Sequence, residues 1–247
     1  ISDNRIDVIK WIGTIDAFNI NTLHNSFSKF NYHTFIGHTR YATKGKKESI
    51  LEDAHPHTIG GTIINEGNHV HIRDADMAIV HNGQVDFSYF DNPNKERCDS
   101  IALLEYYSKK GEVELMRNIP GAYTLAIADK KRKEVIVMRD KTGIKPGVIG
   151  KKDGKWEVAS EDIAFVKNGG KPEFDLVPGT IYYLKPSGEF TKEFIIEPNL
   201  RHCFFEANYI SSPYSHFIGQ SMMSIRQELG KELAREFNSE DIDLVTY

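Results

Sequence analysis

The sequence predicts an α+β fold that gives way, near residue 200, to the opening of an α/β unit. Two apolar runs at 122–128 and 134–138 are joined by a polar turn, and this pattern predicts an antiparallel hairpin. Residues 220–237 carry apolar side chains at helical spacing, and an apolar run at 242–247 follows them. Because a helix followed by a strand is typical of an α/β unit, we expect a domain boundary near residue 200.

The remaining elements are predicted from the same two periodicities. Alternation of apolar and polar residues predicts strands at 8–11 and 34–38. Further short strands are expected at 62–64, 70–72, 77–80, 148–149, 156–159, 180–184 and 190–196. Apolar residues that recur on one side of a helical turn predict helices at 21–30, 100–109 and 161–167. Asp99 stands at the start of the second helix, where an aspartate commonly caps the first turn. Residues 40–53 are polar and rich in lysine, so we expect a mobile loop there.

The composition is that of a globular protein large enough to bury a good core. The 247 residues are 40% hydrophobic and 27% charged, with a formal net charge of −4. This mild acidity gives no electrostatic basis for binding nucleic acid or an anionic membrane, and no apolar run is long enough to cross a bilayer. Cys98 and Cys203 are too few for a disulfide scaffold, so we expect a cytoplasmic protein.

Three short segments supply groups that could hold a free amino acid with a side-chain amide. Arg40 could bind its carboxylate through two parallel hydrogen bonds, and Asp99 could hold its ammonium group. The Asn82 side chain and the Gly83 N–H could both donate to the oxygen that becomes negative when the amide is attacked. Each residue also has an ordinary structural interpretation, since Arg40 could form a surface ion pair, Asp99 could cap a helix, and Asn82-Gly83 is a common hairpin turn.

Two pairs of histidines raise the alternative of a metal site. His69 and His71 are two residues apart on a predicted strand and therefore share a face, and His55 and His57 flank a proline. Such a set could contribute to a zinc site. No carboxylate or cysteine stands beside them at a convincing ligand spacing, so we expect exposed or loop-packed histidines and no metal.

Beyond these individual residues, several motifs resemble those of class II glutamine amidotransferases, which have an N-terminal-nucleophile hydrolase (Ntn-hydrolase) fold. The motifs shared with the class as a whole are Gly37–Thr43, Asp53–Pro56 and Val80–Gly83. Ala54–His57 is similar to glucosamine-6-phosphate synthase. Other segments are similar to glutamine phosphoribosylpyrophosphate amidotransferase, namely Gly121–Tyr123, Arg139–Pro146, Val158–Glu161, Val177–Gly179 and Cys203–Ser215. The last segment resembles the entry to the phosphoribosyltransferase domain of that enzyme.

This resemblance implies a fold and a role for each candidate site residue. The fold is a four-layer αββα sandwich of two antiparallel sheets. Arg40 would bind the glutamine carboxylate, Asp99 the ammonium group, and the Asn82 side chain and Gly83 N–H would form the oxyanion hole. The loop after Arg40 would be a lid that closes over glutamine. The resemblance also implies two further substrate-binding residues, Thr43 and His81.

The family's nucleophile is an N-terminal cysteine whose own α-amino group acts as the general base. Ile1 cannot play this part, and neither can an internal cysteine, because it has no free amine. We therefore expect flanking sequence to be absent at both ends of the chain. Residues 1–200 would be a glutamine amidotransferase domain without its opening segment, and residues 201–247 a linker with the first elements of a truncated phosphoribosyltransferase domain. The chain as it stands is expected to be inactive in glutamine hydrolysis.

The activity implied for the intact protein is the formation of 5-phosphoribosylamine from glutamine and phosphoribosyl pyrophosphate, the first step of purine synthesis. Phosphoribosyl pyrophosphate, with Mg²⁺, would bind beyond Tyr247, and the resemblance implies a homo-oligomer. Two alternatives stay open at this point. One is a non-catalytic glutamine-binding relic of the family, and the other is an amidotransferase of the glucosamine-6-phosphate synthase type.

Overall fold

The protein, described by a computed structural model over residues 1–2, 4–16, 18–28, 30–40, 51–90 and 98–237, forms two compact units. The first unit comprises residues 1–145 and 177–200, and the second comprises residues 146–176 and 201–247. One junction between the units falls at the predicted boundary near residue 200, but residues 146–176 group with the second unit. The assignment of residues 1–200 and 201–247 to two named domains stays a prediction.

The secondary structure is a mixture of short antiparallel strands and a few helices. The strands are β1 (Ile6–Trp11), β2 (His57–Asn65), β3 (His69–Val85), β4 (Gly121–Asp129), β5 (Glu134–Arg139), β6 (Val148–Lys152), β7 (Lys155–Ala159), β8 (Lys171–Asp175), β9 (Thr180–Leu184), β10 (Phe190–Phe194), β11 (His216–Phe217) and β12 (Gln220–Ser221). The α-helices are α1 (Ile20–Phe27), α2 (Asp99–Asn118), α3 (Ile163–Asn168) and α4 (Met222–Glu236). The predicted α+β character is confirmed.

The first unit is built on a seven-stranded antiparallel sheet with the order β1-β3-β4-β5-β9-β10, in which β2 also pairs with β3. β3 is the longest strand, because its first half pairs with β1 and β2 while its second half pairs with β4. Asn82 is paired with Thr124 and Gly83 with Tyr123 in the β3–β4 ladder. The hairpin-turn interpretation of Asn82-Gly83 is therefore wrong, since cross-strand pairing overrides the local turn preference of this dipeptide.

Helix α2 packs its apolar side chains onto one face of this sheet. Leu103, Leu104 and Leu115 are buried in one core with Ile79 and other residues of the central strands. Full burial of each such side chain contributes about 1.5–3 kcal/mol. The helix predicted at 100–109 is confirmed and continues to Asn118 beyond a kink at Gly111, whose φ of 80° interrupts the helical geometry.

The other predicted elements of the first unit meet mixed outcomes. The hairpin of β4 and β5 is confirmed, and the strands predicted at 62–64, 70–72 and 77–80 are parts of the longer β2 and β3. The strand predicted at 34–38 is wrong, because residues 31–40 carry no regular secondary structure and alternation alone cannot provide a partner strand. The predicted loop at 41–50 and the predicted strand at 242–247 lie outside the described residues.

Residues 146–176 interrupt the first unit at a single place in the sheet. Arg139, the last residue of β5, is paired with Thr180, the first residue of β9. The N–H of Gly179 donates to the Arg139 carbonyl at 3.0 Å, and the Arg139 guanidinium donates through Nε to the carbonyl of Lys145 at 2.9 Å. The chain therefore leaves the first unit and returns to it between two neighbouring strands.

The second unit contains the three-stranded antiparallel sheet β7-β6-β8 and helices α3 and α4. The Arg226 guanidinium on α4 donates to the carbonyls of Ala207 at 3.1 Å and Ser211 at 2.6 Å. The Glu161 carboxylate accepts the N–H of Ser212 at 2.7 Å. These charge-assisted bonds hold the segment around residues 203–215 in place. Among the described helices of both units, none combines the length and the apolar character needed to cross a membrane.

Candidate functional site

The end of β3 presents a glycine that no other residue could replace without strain. Gly83 has a φ of 157°, and a Cβ built on it would lie 2.2 Å from the carbonyl oxygen of Ala122 and 2.7 Å from the Cα of Tyr123. The same Cβ would lie 2.8 Å from Nε2 of His81. The backbone of Gly83 is thus closely enclosed by β4 on one side and by the His81 ring on the other.

Asp99 begins helix α2 and reaches back to the same strand. Its Oδ2 accepts a 3.1 Å hydrogen bond from the main-chain N–H of Val85, two residues after Gly83. The prediction that Asp99 is the N-cap is wrong by one position, because Cys98 is the capping residue and its side chain makes no capping bond. A carboxylate in the first turn of a helix is nevertheless stabilised by the helix dipole. The structure therefore brings Asp99 to the strand that carries Asn82 and Gly83.

His81 lies between these groups and is buried. Its Nδ1 is 3.0 Å from Oγ of Ser100 and 3.9 Å from Oδ1 of Asp99. Burial lowers the pKa of His81 to about 4, although the nearby Asp99 carboxylate acts in the opposite direction. The imidazole is therefore neutral near pH 7 and can act as a hydrogen-bond donor through one nitrogen and as an acceptor through the other.

A second neutral imidazole approaches from the other side of Ser100. His55 Nε2 lies 2.9 Å from the Ser100 hydroxyl, and burial, reinforced by the neighbouring histidines and Lys10, lowers the pKa of His55 to about 2. The His55 ring also contacts His38 and His57, with ring centroids 4.2 and 4.6 Å away. His57 Nε2 in turn lies 3.5 Å from the Cys98 thiol. Three histidines thus line the approach to the start of helix α2.

Arg40 lies at the edge of a cavity of about 890 Å³, which has the size of a small-molecule site. Arg40 is half-buried, with its guanidinium 3.9 Å from the carboxylate of Asp53. Lys10, His38 and His55 also line the cavity, whose other walls are mostly apolar side chains of β1, α1 and the segment before Arg40. Burial lowers the pKa of His38, and a main-chain group of His81 acts in the opposite direction.

The structure connects the predicted residues in two groups. Asn82, Gly83, His81 and Asp99 gather at the end of β3 and the start of α2, and they are not among the residues that line the cavity beside Arg40. His55 lines the cavity and contacts Ser100, and Ser100 in turn contacts His81, so these three residues link the two groups. The remaining predicted residue, Thr43, lies outside the described part of the chain.

The four histidines considered as metal ligands are divided between two places. His69 and His71 are buried on β3, so the expectation that they are exposed or loop-packed is wrong. Their rings lie near Phe18 and Phe27, with centroid distances of 5.6 and 6.3 Å. Over the residues that the structure describes, no group of three or more His, Cys, Asp or Glu is arranged to hold a metal ion.

Sequence reasoning missed two contributors to this region, Ser100 and Lys10. Ser100 is separated from His55 by 45 residues, and the clue that the sequence offers is its place directly after Asp99. Lys10 is buried at the end of β1, where its ammonium donates to the carbonyl of Glu52 at 3.4 Å. Inside a predicted apolar strand, a lysine carries no recognisable signal for a cavity.

Comparisons with known proteins show which families the chain resembles. Residues 71–187, which include His81, Asn82, Gly83 and Asp99, match the family model described as glutamine amidotransferase domain. The amidophosphoribosyltransferase of Mycobacterium tuberculosis (strain H37Rv) is 28% identical over 215 residues, which is 83% of this chain and 40% of that protein. The amidophosphoribosyltransferase of Archaeoglobus fulgidus is 28% identical over 246 residues, which is 95% of this chain and 51% of that protein.

A solved structure shows the same fold. Glutamine phosphoribosylpyrophosphate amidotransferase from B. subtilis, complexed with ADP and GMP, superposes with a TM-score of 0.66 at 26% identity, over 82% of this chain and 44% of that one. The fold predicted from the sequence, that of the Ntn-hydrolase amidotransferases, is thereby confirmed. The chain spans about half the length, or less, of the relatives named here. Residues 71–187 are accordingly similar to a glutamine amidotransferase domain, and the chain as a whole is similar to the class II amidotransferases of the amidophosphoribosyltransferase type.

Proposed function

We propose that this chain carries the glutamine site of an enzyme that releases ammonia from glutamine and transfers it to phosphoribosyl pyrophosphate, giving 5-phosphoribosylamine. The observation that carries the proposal is the 3.1 Å bond from the Val85 N–H to Asp99, which joins a fixed anion to the strand of Asn82 and Gly83. An anion for the substrate ammonium then stands beside two donors for the developing oxyanion.

In this proposal, each candidate site residue either binds glutamine or stabilises the charge that develops during its hydrolysis. Arg40 binds the α-carboxylate of glutamine, because a guanidinium matches the two oxygens of a carboxylate. Asp99 holds the α-ammonium group. The Asn82 amide and the Gly83 N–H donate to the oxygen of the tetrahedral intermediate, and Thr43 and His81 make further contacts with the substrate.

The chemical step in this class begins with attack of a cysteine thiol on the glutamine amide carbon. The amide nitrogen takes up a proton and leaves as ammonia, and water then hydrolyses the resulting thioester to glutamate and free thiol. Cys98 and Cys203 are internal residues without a free α-amino group to act as the base, so we assign the nucleophile to neither of them.

We propose that a second site accepts the ammonia. The segment Cys203–Ser215, held by Glu161 and Arg226, supports an acceptor of the phosphoribosyl type over a sugar-phosphate acceptor of the glucosamine-6-phosphate synthase type. We propose Mg²⁺ as the companion of phosphoribosyl pyrophosphate there, and no step assigned to the described residues runs through a metal. A cytoplasmic homo-oligomer completes the proposal.

Binding of L-glutamine to the 247-residue chain tests the first part by isothermal titration calorimetry. Wild-type protein is expected to bind glutamine, and Asp99→Asn is expected to weaken binding about tenfold or more, because a charged hydrogen-bond partner is lost. Asp86→Asn serves as the matched control, since Asp86 is an exposed aspartate whose carboxylate accepts the N–H of Ser88. Equal affinity in wild type and Asp99→Asn would contradict the assignment.

The acceptor is tested with the full-length gene product. Glutamate release that depends on phosphoribosyl pyrophosphate, with formation of pyrophosphate, is the expected result. Dependence on fructose 6-phosphate instead would favour the glucosamine-6-phosphate synthase type. Tight glutamine binding with no glutamate release under either condition would identify a non-catalytic relic.

A further inference from the structure

Ser100 is a buried hydroxyl that connects two imidazole rings from distant parts of the first unit. Its Oγ lies 2.9 Å from Nε2 of His55 and 3.0 Å from Nδ1 of His81, and its side chain is almost inaccessible to solvent. A weaker contact of 3.5 Å runs from the hydroxyl to Oδ1 of Asp99. One hydroxyl therefore touches the segment before β2, the oxyanion strand β3 and the carboxylate at the start of α2.

The hydrogens available at this point restrict the two rings. A serine hydroxyl donates one hydrogen bond, so it cannot donate to both imidazoles at once. Each neutral ring carries a single N–H. If Ser100 donates to His81, then His55 must donate to Ser100. If Ser100 donates to His55, then His81 must donate to Ser100. If both rings donate to Ser100, the hydroxyl proton is left for Asp99. The arrangement excludes only the case in which both rings accept from the hydroxyl, so at least one ring carries its proton on the nitrogen that faces Ser100.

The tautomer of His81 matters because its remaining nitrogen faces the backbone of the oxyanion strand. Nε2 of His81 is buried, has no hydrogen-bond partner among the described residues, and lies 2.8 Å from the position that a Cβ on Gly83 would occupy. A rotated or re-protonated His81 ring would therefore move against Gly83. The neighbouring Asp99 carboxylate, 3.9 Å from Nδ1 of His81, would change its surroundings at the same time.

We propose that Ser100 is a positioning residue for ammonia release, whose hydroxyl fixes the ring of His81 against Gly83 and beside Asp99. The inference rests on the proposed function, because it assigns Gly83 to the oxyanion hole and Asp99 to the substrate ammonium. The proposed function gives Ser100 no contact with the substrate or the nucleophile. Its effect is exerted through the orientation of His81, so it should appear in the transition state more than in glutamine binding.

The test combines kinetics of the full-length gene product with long-range ¹H–¹⁵N correlation spectra of the imidazoles. In wild type we expect one tautomer for each of His55 and His81. In Ser100→Ala we expect a changed or mixed tautomer of His81, together with a kcat for glutamine hydrolysis lowered about tenfold and a KM that rises by less than about threefold, because His81 also contacts the substrate. That loss is smaller than the hundredfold or more that follows removal of an oxyanion donor.

Two further variants keep the test independent of folding. Ser100→Cys fills a similar volume but hydrogen-bonds weakly, so it should reproduce the loss even if Ser100→Ala unfolds. Ser100→Thr retains the hydroxyl and should restore kcat to within about threefold of wild type. Ser108→Ala is the matched control, because Ser108 is an exposed serine of the same helix whose hydroxyl donates to the Glu105 carbonyl.

The outcomes separate this inference from the proposed function. Wild-type tautomers in Ser100→Ala and Ser100→Cys would overturn the positioning role, and so would a tautomer change that leaves kcat unaltered. A loss of kcat with wild-type tautomers would overturn it as well. A full-length wild-type protein that never releases glutamate would instead overturn the proposed function.

Discussion

Asp140 accepts a 3.0 Å hydrogen bond from the main-chain N–H of Tyr123, the residue paired with Gly83 across the β3–β4 ladder. The Asp140 N–H returns a 3.1 Å bond to the Tyr123 carbonyl, and its second carboxylate oxygen accepts the N–H of Thr142 at 2.7 Å. Asp140 thus holds β4 at the point where it passes closest to Gly83. Gly83 is therefore supported through the neighbouring strand β4 as well as through β3.

Removal of this carboxylate should destabilise the protein and loosen the site. We expect Asp140→Ala to lower the free energy of unfolding by about 1–3 kcal/mol, because buried main-chain donors lose their acceptor. Urea denaturation measures this loss. Asp140→Asn keeps one acceptor oxygen and should lose less, and Glu173→Ala, at an exposed position in β8, is the control. Equal stability of Asp140→Ala and wild type would contradict the role given to Asp140.

Gly83→Ala should be among the most damaging single substitutions in the first unit. The added Cβ would overlap the Ala122 carbonyl, so we expect a loss of about 3 kcal/mol or more in the free energy of unfolding. Gly188→Ala is the matched control, since Gly188 has a φ of 85° but open space around its Cβ position. The control should lose about 1–2 kcal/mol from backbone strain alone. Similar losses in both variants would show that the close contact at Gly83 carries no cost.

Acid should destabilise the protein through His55 and His81. Burial lowers their folded-state pKa values to about 2 and about 4, whereas in the unfolded chain an imidazole has a pKa near 6.5. The unfolded state therefore binds more protons below pH 6.5, and stability falls as the pH decreases toward 4. His55 also faces His38, His57 and Lys10, which oppose its protonation, and Lys145 acts on His81 in the same sense.

The same difference in proton binding between the folded and unfolded states sets the slope of stability against pH and suggests a variant that tests it. Each of the two groups contributes a slope of at most about 1.4 kcal/mol per pH unit in this window. Guanidinium denaturation at pH 7 and pH 5 should show that His55→Gln has a shallower pH dependence than wild type. Between pH 7 and pH 8 the two proteins should show the same slope. Parallel curves from pH 7 to pH 5 would rule out the contribution of His55.

Arg226 should contribute to the second unit through its main-chain contacts. Its guanidinium bonds to the carbonyls of Ala207 and Ser211 are charge-assisted, so Arg226→Ala is expected to lose about 1–3 kcal/mol. Hydrogen exchange at residues 203–215 should accelerate in the variant. Arg235→Ala is the control on the same helix, because Arg235 is exposed and pairs with Glu232. Exchange that is equally slow in both variants would contradict this anchoring role.

Much of the fold could be predicted where the local pattern and the final pairing agree. The hairpin of β4 and β5 is one case, since its polar turn and apolar arms are contiguous in sequence. The strand expected at 34–38 is the opposite case. A strand forms only where a neighbouring strand pairs with it through hydrogen bonds, and the periodicity of one segment does not show whether such a neighbour is present. Asn82-Gly83 shows the same limit, since its turn preference is outweighed by the ladder with β4.

The candidate site likewise contains residues that local sequence motifs indicate and a contact that depends on the folded structure. Asn82, Gly83, His81 and Asp99 were identifiable from motifs, since each lies within a short segment of characteristic sequence. The bridge through Ser100 was not, because it depends on a side chain that meets His55 across 45 residues of chain. Contacts of this kind follow from the packing of α2 on the sheet, which no single segment encodes.

The junction between β5 and β9 bears on how such a chain could diversify. Since Arg139 and Thr180 are paired in the sheet, the segment between them leaves and re-enters the first unit at neighbouring positions. A change in the length of this segment would alter the entropic cost of folding the first unit only a little. The cost of closing a loop grows slowly with its length, and the pairing of β5 with β9 already holds the two ends of the segment together. Residues 146–176 could therefore be exchanged or changed in length during evolution while the seven-stranded sheet of the first unit is kept.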